Sequence, residues 1–285
     1  MPCEAEPGLK RRAPPAPAAA LKAFLEAHSR IAVLTGAGCS TASGIPDYRD
    51  EQGAWRHPRP MTLAEFRASP AARRRYWARS FVGWRRIEAA APNATHAAIA
   101  ALEAHGRVTG VITQNVDNLH RRAGSRRLID LHGVLHRVRC LDCGDVTARA
   151  AFQARLEAAN RDWRAAIDGV APDGDARIGD ADAGRFDVPG CSSCGGILKP
   201  DVVFFGESVP AERVEAAYAM VRAADALLVV GSSLMVLSGF RFARAAREAG
   251  LPLAILNRGV TRADDIATHR FEGDCAALLP AALDL

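Results

Sequence analysis

The sequence predicts an α/β protein, a parallel sheet covered by helices with a smaller cysteine-bearing region beside it. Two observations point to the sheet. Largely apolar runs at residues 31–34, 108–113, 128–131, 226–230 and 253–256 alternate with helical segments, and strands apolar on both faces belong to parallel sheets buried by helices on both sides. Each run then ends in small or polar residues: Gly36 and Gly38; Gln114, Asn115 and Asp117; His132; Gly231, Ser232 and Ser233; Asn257. In such sheets ligands lie beyond the carboxyl ends of the strands. The third observation is Cys140-x-x-Cys143 with Cys191-x-x-Cys194.

Taken in order, residues 1–19 are rich in Pro and Ala and read as a flexible tail. Residues 18–28 read as a helix with Leu21, Phe24 and Leu25 on one face. The first strand runs into Thr35-Gly36-Ala37-Gly38-Cys39-Ser40-Thr41-Ala42-Ser43-Gly44, where the backbone can turn sharply and approach another molecule. Strand, glycine turn, then helix is an arrangement that holds phosphates on free backbone N–H groups. Gly36-x-Gly38 supplies two glycines of a dinucleotide fingerprint, and Thr41 stands where the third would be. Ile45-Pro46-Asp47-Tyr48-Arg49 follows, joining an aromatic face for a flat ring to a guanidinium fork for phosphate.

From 51 to 92, arginines crowd into helices with Phe66, Tyr76, Trp77, Phe81 and Trp84 at helical intervals, a packing stripe punctuated by Pro58, Pro60, Pro70 and Pro92. Residues 95–105 read as another helix. Strand 108–113 ends in Gln114-Asn115-Val116-Asp117-Asn118-Leu119-His120, and strand 128–131 in His132-Gly133. Residues 140–194 form an insert with an acidic, irregular middle at 168–187. The alternation resumes with a strand at 202–206, a helix at 212–223, strand 226–230, a helix at 239–249 and strand 253–256, which ends in Asn257-Arg258-Gly259.

A chain of 285 residues with 49% apolar content has material for one large domain carrying an inserted module. The net charge of +5 is spread along the chain and does not mark a nucleic-acid binder. No apolar run approaches the ~18 residues a membrane span needs, and the first twenty residues lack the apolar core of a secretory signal. Seven cysteines, four of them in C-x-x-C pairs, favour metal in a reducing compartment over a disulfide framework. Two such pairs close a tetrahedral S₄ shell suited to zinc, and four thiolates leave no open position, so this zinc is expected to be structural.

The sequence resembles the sirtuins from about Ala20 to its end. The resemblance is carried by Gly36-Ala37-Gly38-x-Ser40-x-x-Ser43-Gly44-Ile45-Pro46-Asp47-Tyr48-Arg49, Thr113-Gln114-Asn115-Val116-Asp117-x-Leu119-His120, His132-Gly133, both Cys pairs, Lys199-Pro200-Asp201-Val202-Val203-Phe204-Phe205-Gly206-Glu207 and Gly231-Ser232-Ser233-Leu234. Tyr48, the 73–84 segment and the long gap between Cys143 and Cys191 are similar to the class II branch, which includes a mitochondrial vertebrate member and many bacterial proteins. The resemblance implies a Rossmann-like NAD-binding domain (20–50, 93–135 and 200–285) and a small lobe made of a helical module (51–92) and a zinc-binding module (136–199).

It also implies NAD-dependent protein lysine deacetylation or deacylation, yielding nicotinamide, 2′-O-acyl-ADP-ribose and free lysine. On that footing Gly36, Ala37 and Gly38, with Ser40, would cradle the pyrophosphate, and Arg49 would steady phosphate and the loop that includes Pro46 and Asp47. Tyr48 would shield the nicotinamide side. Asn115, Val116 and Asp117 would line the nicotinamide pocket, Asp117 gripping the carboxamide, and Gln114 would hold the ribose. Gly231, Ser232, Ser233, Asn257, Arg258, Gly259 and Cys275 would surround the adenosine half. Val203 and Phe205 would line the acyl-lysine tunnel. The substrate backbone would add as a strand against Val202 to Gly206 and a loop near Leu237 to Gly239.

The chemistry gives these residues a purpose. The acyl oxygen attacks the ribose carbon as nicotinamide leaves, which asks for a dry, held geometry, with Asn115 assisting. A base must then activate a ribose hydroxyl, and imidazole suits this near neutral pH. His132, between a strand and Gly133, is the candidate; His120 and His136 are expected to be structural. Tyr76-x-x-Arg79 on one helix face could hold the carboxylate of a dicarboxylic acyl chain. Mono-ADP-ribosylation of protein would use the same NAD site, and a non-enzymic NAD-sensing zinc scaffold is the alternative of another class. The expected partners are acyl-lysine proteins, with no membrane or nucleic acid, for a monomer in the cytoplasm, or in the mitochondrial matrix of a eukaryote.

Overall fold

This computed structural model describes residues 17–56, 59–165 and 179–284. Ten α-helices and nine strands are assigned among them. In chain order they are α1 (Pro17–Ala27), β1 (Ile31–Thr35), α2 (Leu63–Ala68), α3 (Pro70–Ala89), α4 (Ala94–Ala104), β2 (Val108–Thr113), α5 (Leu119–Arg122), β3 (Leu128–Asp130), β4 (Gly133–Cys140), β5 (Val146–Ala148), α6 (Arg149–Ala159), α7 (Asp180–Gly184), β6 (Leu198–Val202), α8 (Ala211–Arg222), β7 (Ala226–Val230), α9 (Leu237–Glu248), β8 (Leu253–Asn257), β9 (His269–Glu272) and α10 (Cys275–Ala282).

Six strands form one sheet in the order β3-β2-β1-β7-β8-β9, every pair parallel. Pairing is in register along β1 and β7, with Leu34 opposite Val229 and Thr35 opposite Val230. Alternate residues point to opposite faces. Ile31, Val33 and Leu228 therefore pack under α1, α4 and α10 with Phe24, Ile99 and Leu279, whereas Ala32, Leu34 and Val229 pack under α8 and α9 with Val221 and Phe242. The central strands β1, β7 and β8 are buried at every residue.

The second sheet is antiparallel, in the order β5-β4-β6. Its core joins the helical and cysteine-bearing parts of the small lobe into one: Phe66 and Trp77 from α2 and α3 pack with Val138, Phe152, Phe186 and Leu198. Arg149 is 1% exposed at the centre of this contact. Its guanidinium donates to Gln153 Oε1 (2.7 Å) and Ser80 O (3.3 Å) and lies over the Trp77 and Trp84 rings. A further cluster of Ile45, Trp84, Ile87, Leu119 and Leu135 fastens the lobe to the sheet.

Several expectations change. The apolar run at 202–206 is not a strand of the parallel sheet; β6 ends at Val202 and pairs antiparallel with β4, so it belongs to the small lobe. Lys199 and Asp201 hid it, and both are buried because they are paired: Lys199 Nζ with Glu207 (2.7 Å), Asp201 with Arg137 (2.9 Å) and Arg139 (3.0 Å). Pro200 is tolerated because β6 is an edge strand. Of the expected tail, residues 1–16 lie outside the described residues and Pro17 already starts α1. Of the irregular stretch, 168–178 also lies outside them, but Phe186 beyond α7 is fully buried. No helix among the described residues is long and apolar enough to cross a membrane.

Candidate active site

One cavity of about 550 Å³ runs over the carboxyl ends of β1, β2, β3, β7 and β8 and on beneath the small lobe. Gly36, Ala37 and Gly38 line it. The turn lies flat on the end of β7: Gly38 N donates to Gly231 O at 2.8 Å, and a Cβ on Gly36 would sit 2.7 Å from Ser232 Cβ. The chain here forms two three-residue 3-10 turns, Ala37–Cys39 and Thr41–Ser43. Small hydroxylic residues and the left-handed Gly44 favour such turns over a helix.

Ser40 knots this turn to the end of β2. Its hydroxyl donates to Asp117 Oδ2 at 2.6 Å, while Asn115 Nδ2 donates to Ser40 Oγ and Gly36 O, both at 3.0 Å. Asp117 also accepts from Leu119 N at 2.9 Å. Burial raises its pKa, partly offset by the Ser40 hydroxyl. Asn115, Val116 and Asp117 all line the cavity.

Pro46, Asp47, Tyr48 and Arg49 form a further wall. Asp47 pairs with Arg56 at 3.0 Å. Arg49 donates to Gly53 O (2.7 Å) and lies 4.1 Å above the Trp55 ring, which is edge-on to both Tyr48 and Phe205. Burial lowers the Arg49 pKa, with Arg262 and Arg59 adding to the effect. Three guanidiniums near one another make this an anion-attracting corner.

Across the cavity, Gln114 Nε2 donates to Ser232 Oγ (2.7 Å) and Thr35 O (3.2 Å). Gly231, Ser232, Ser233, Asn257, Arg258 and Cys275 complete that side. Cys275 is buried, and burial pushes its thiol up to about 12. Gly259, expected here, is outside the lining. Its N–H donates to Glu272 (2.7 Å) and the next N–H, of Val260, to Glu51 O (2.8 Å), so it supports the 49–56 loop from behind.

His132 follows β3 and faces the same cavity. Its Nδ1 is 2.9 Å from Gln114 O and its Nε2 is 2.8 Å from Ser238 Oγ. Burial lowers its pKa, Gln114 O opposes this, and Arg213 adds to the lowering. The imidazole is therefore neutral at physiological pH, as a base must be. His120 is deeply buried against Thr35 Oγ1 (2.9 Å), with its pKa lowered to about 3, and His136 packs on Trp84. Neither lines the cavity.

Val202, Val203, Phe205 and Gly206 line the small-lobe end, held by Val203 N donating to His132 O (2.8 Å) and by Thr62 bridging Phe205. Leu237 and Gly239 are the first turn of α9 where a loop was expected. Tyr76 reaches the cavity between Phe66 and Phe204, but Arg79 lies outside the lining. The cavity meets α3 at the Tyr76 turn. Trp55 escaped the sequence reading because it lies beyond the loop motif, and Ser238 entered it only as part of the expected 237–239 docking loop, not as a partner of His132.

Cys140, Cys143, Cys191 and Cys194 converge away from this cavity, their sulfurs all within 4.8 Å of one another, with Cys140–Cys194 at 3.6 Å and Cys143–Cys191 at 3.8 Å. Tetrahedral zinc with bonds of about 2.3 Å needs sulfurs about 3.8 Å apart. The four cysteines fit a structural zinc.

Fold and site are those of an α/β protein with a nucleotide-sized cleft over its strand ends and a four-cysteine module beside it. A profile of the Sir2 family matches residues 36–238. An NAD-dependent protein deacetylase of Xanthomonas campestris pv. campestris (strain 8004) is 57% identical over 260 residues, covering 91% of this chain and 89% of that protein. One from Bordetella bronchiseptica is 55% identical over 260 residues, covering 91% and 95%. A solved Sir2–p53 peptide–NAD+ complex superposes with a TM-score of 0.74 at 29% identity, covering 93% of this chain and 96% of that one. Sir2 bound to acetylated peptide gives 0.74 at 28% identity, with the same coverage. The chain belongs to the Sir2 family.

Proposed function

We propose that this protein is an NAD-dependent protein lysine deacetylase. The observation that carries the reading is His132, a neutral imidazole at a strand end that lines the same cavity as the Gly36–Gly38 turn. Bound NAD supplies an activated ribose carbon, with nicotinamide as leaving group. Gly36, Ala37, Gly38 and Ser40 hold the pyrophosphate beside the Arg49 corner. Gln114, Ser232, Ser233, Asn257, Arg258 and Cys275 hold the sugars and adenine. Asn115 and Asp117, braced by Ser40, orient the carboxamide, with Val116 beside them. Tyr48, Trp55 and Phe205 exclude water from the reacting carbon. His132 Nε2 takes the proton of a ribose hydroxyl.

The acetyl-lysine enters past Val203 and Phe205, and its backbone adds along the 202–206 segment, a reading supported by β6 being a sheet edge. We extend the activity to short apolar acyl groups and not to dicarboxylic ones, because Arg79 is absent from the cavity lining while Tyr76 meets it among aromatic rings. A cytoplasmic location is supported by the four thiols, which must stay reduced to hold metal.

The test is release of nicotinamide and 2′-O-acetyl-ADP-ribose from an acetyl-lysine peptide and NAD. His132→Ala should lower the rate by about 10²- to 10⁴-fold while ADP-ribose still binds. A His132→Ala rate near wild type would overturn the reading, and phosphorus-32 from labelled NAD accumulating on protein would favour ADP-ribosyl transfer.

A further inference from the structure

The reading of His132 as base leaves one contact unused. Gln114 O, 2.9 Å from Nδ1, is a carbonyl and can only accept, so the neutral imidazole carries its proton on Nδ1 and its lone pair on Nε2. The group at that lone pair, 2.8 Å away, is the hydroxyl of Ser238, which must be the donor. The atom through which a base would take a proton is thus already occupied by a side chain of the protein.

Ser238 is the second residue of α9, whose first turn is pressed against the floor of the cleft. A Cβ on Gly239 would sit 2.3 Å from Gln114 Oε1. Ser238 and Gln114 therefore grip the two ring nitrogens from adjoining elements. Ser238 lines the cavity, as does His132, so the Ser238–Nε2 contact borders the space an incoming hydroxyl would enter.

We propose that Ser238 is a positioning residue: its hydroxyl aims the Nε2 lone pair into the cleft of the substrate-free protein and yields that nitrogen to a ribose hydroxyl when the co-substrate enters. The exchange breaks one O–H···N hydrogen bond and makes another, with no covalent bond or electron pair changing hands. It rests on the reading of His132 as base.

A hydrogen bond donated to Nε2 favours neutral imidazole, so its loss makes the ring easier to protonate. Among the described residues, the charge that bears on the ring is Arg213 on α8, and Ser238 variants leave it in place.

The test follows the His132 imidazole by ¹⁵N NMR in the substrate-free full chain, with His132→Ala assigning the signal. Ser238→Ala should raise the titration midpoint by about half a pH unit or more, and Ser238→Thr, which keeps the hydroxyl, should hold it at wild type. The acid limb of kcat/KM for NAD should move with the midpoint. Saturation with ADP-ribose should make the wild-type and Ser238→Ala signals coincide, since the ribose then supplies the donor. An unmoved midpoint in Ser238→Ala, a Thr variant that shifts like Ala, or a difference that survives ADP-ribose would overturn the proposal. The base reading fails separately, if His132→Ala keeps its rate, because the titration does not depend on turnover.

Discussion

In the six-stranded sheet the interior is Ile, Val, Leu and Ala supplied by nearly every strand and covered from both faces. In the small lobe the interior is Phe66, Trp77, Phe152 and Phe186, with a buried arginine among the rings and four thiols closing one end. The sheet can exclude water by itself. The lobe has a short three-stranded sheet and small helices, and a core of that size commonly needs a metal. The difference teaches where each region is vulnerable: the lobe to loss of its ion, the sheet to loss of its packing or neutral interior.

The largest expected effect is metal removal. All four tryptophans, Trp55, Trp77, Trp84 and Trp163, lie outside the large sheet, so their fluorescence follows the lobe while circular dichroism follows the whole chain. Chelation, or Cys143→Ser, should abolish deacetylation and shift the tryptophan emission to the red, with most of the dichroism retained. Equal loss of both signals would break the comparison. Next, Trp77→Ala should destabilise the lobe by about 3–5 kcal/mol, read as a lower denaturant midpoint in fluorescence and a smaller change in dichroism. The Trp77 ring is fully buried, donates to Leu198 O at 3.0 Å and carries Arg149 on its face.

A third prediction concerns the large domain. His96 and His120 pack ring to ring beneath the sheet, with burial lowering their pKa values to about 4 and about 3. The unfolded histidines titrate near 6.5, so below that pH the unfolded chain binds more protons and stability falls. With both rings contributing, the slope should approach about 3 kcal/mol per pH unit between roughly pH 5.5 and 4. Denaturant melts followed by dichroism over that range check it, and His120→Gln should reduce the slope by about half. The smallest effect is expected of Arg79→Ala, which should change the ranking of acetyl over glutaryl peptides less than about twofold, since Arg79 lies outside the cavity. Loss of a glutaryl preference on that substitution would restore the dicarboxylic reading.

Much of this was legible in the sequence where one physical signal dominated. Apolar runs marked β1, β2, β3, β7 and β8, and the C-x-x-C spacing marked the metal cluster before any geometry. What failed did so where tertiary pairing overrode local pattern. β6 reads as Leu-Lys-Pro-Asp-Val, a loop by composition, and becomes a strand because Glu207, Arg137 and Arg139 neutralise its charges. β9, His-Arg-Phe-Glu, buries only Phe271 at the sheet edge and leaves no apolar run to find. Ser238 was read only as part of a docking loop, since nothing in Leu237-Ser238-Gly239 says that a histidine over a hundred residues away ends beside it.

The placement of β6 has a consequence for how activity would fail. The strand starts four residues after Cys194, and its last residue is already cavity wall, so the sulfurs that would hold the ion and the proposed peptide-docking edge are two ends of one short tether. The nucleotide-facing loops hang from the other sheet. A demetallated chain should therefore grow blind to acetylated protein while still recognising ADP-ribose, and titrating the two ligands side by side would read this loss as selective rather than general.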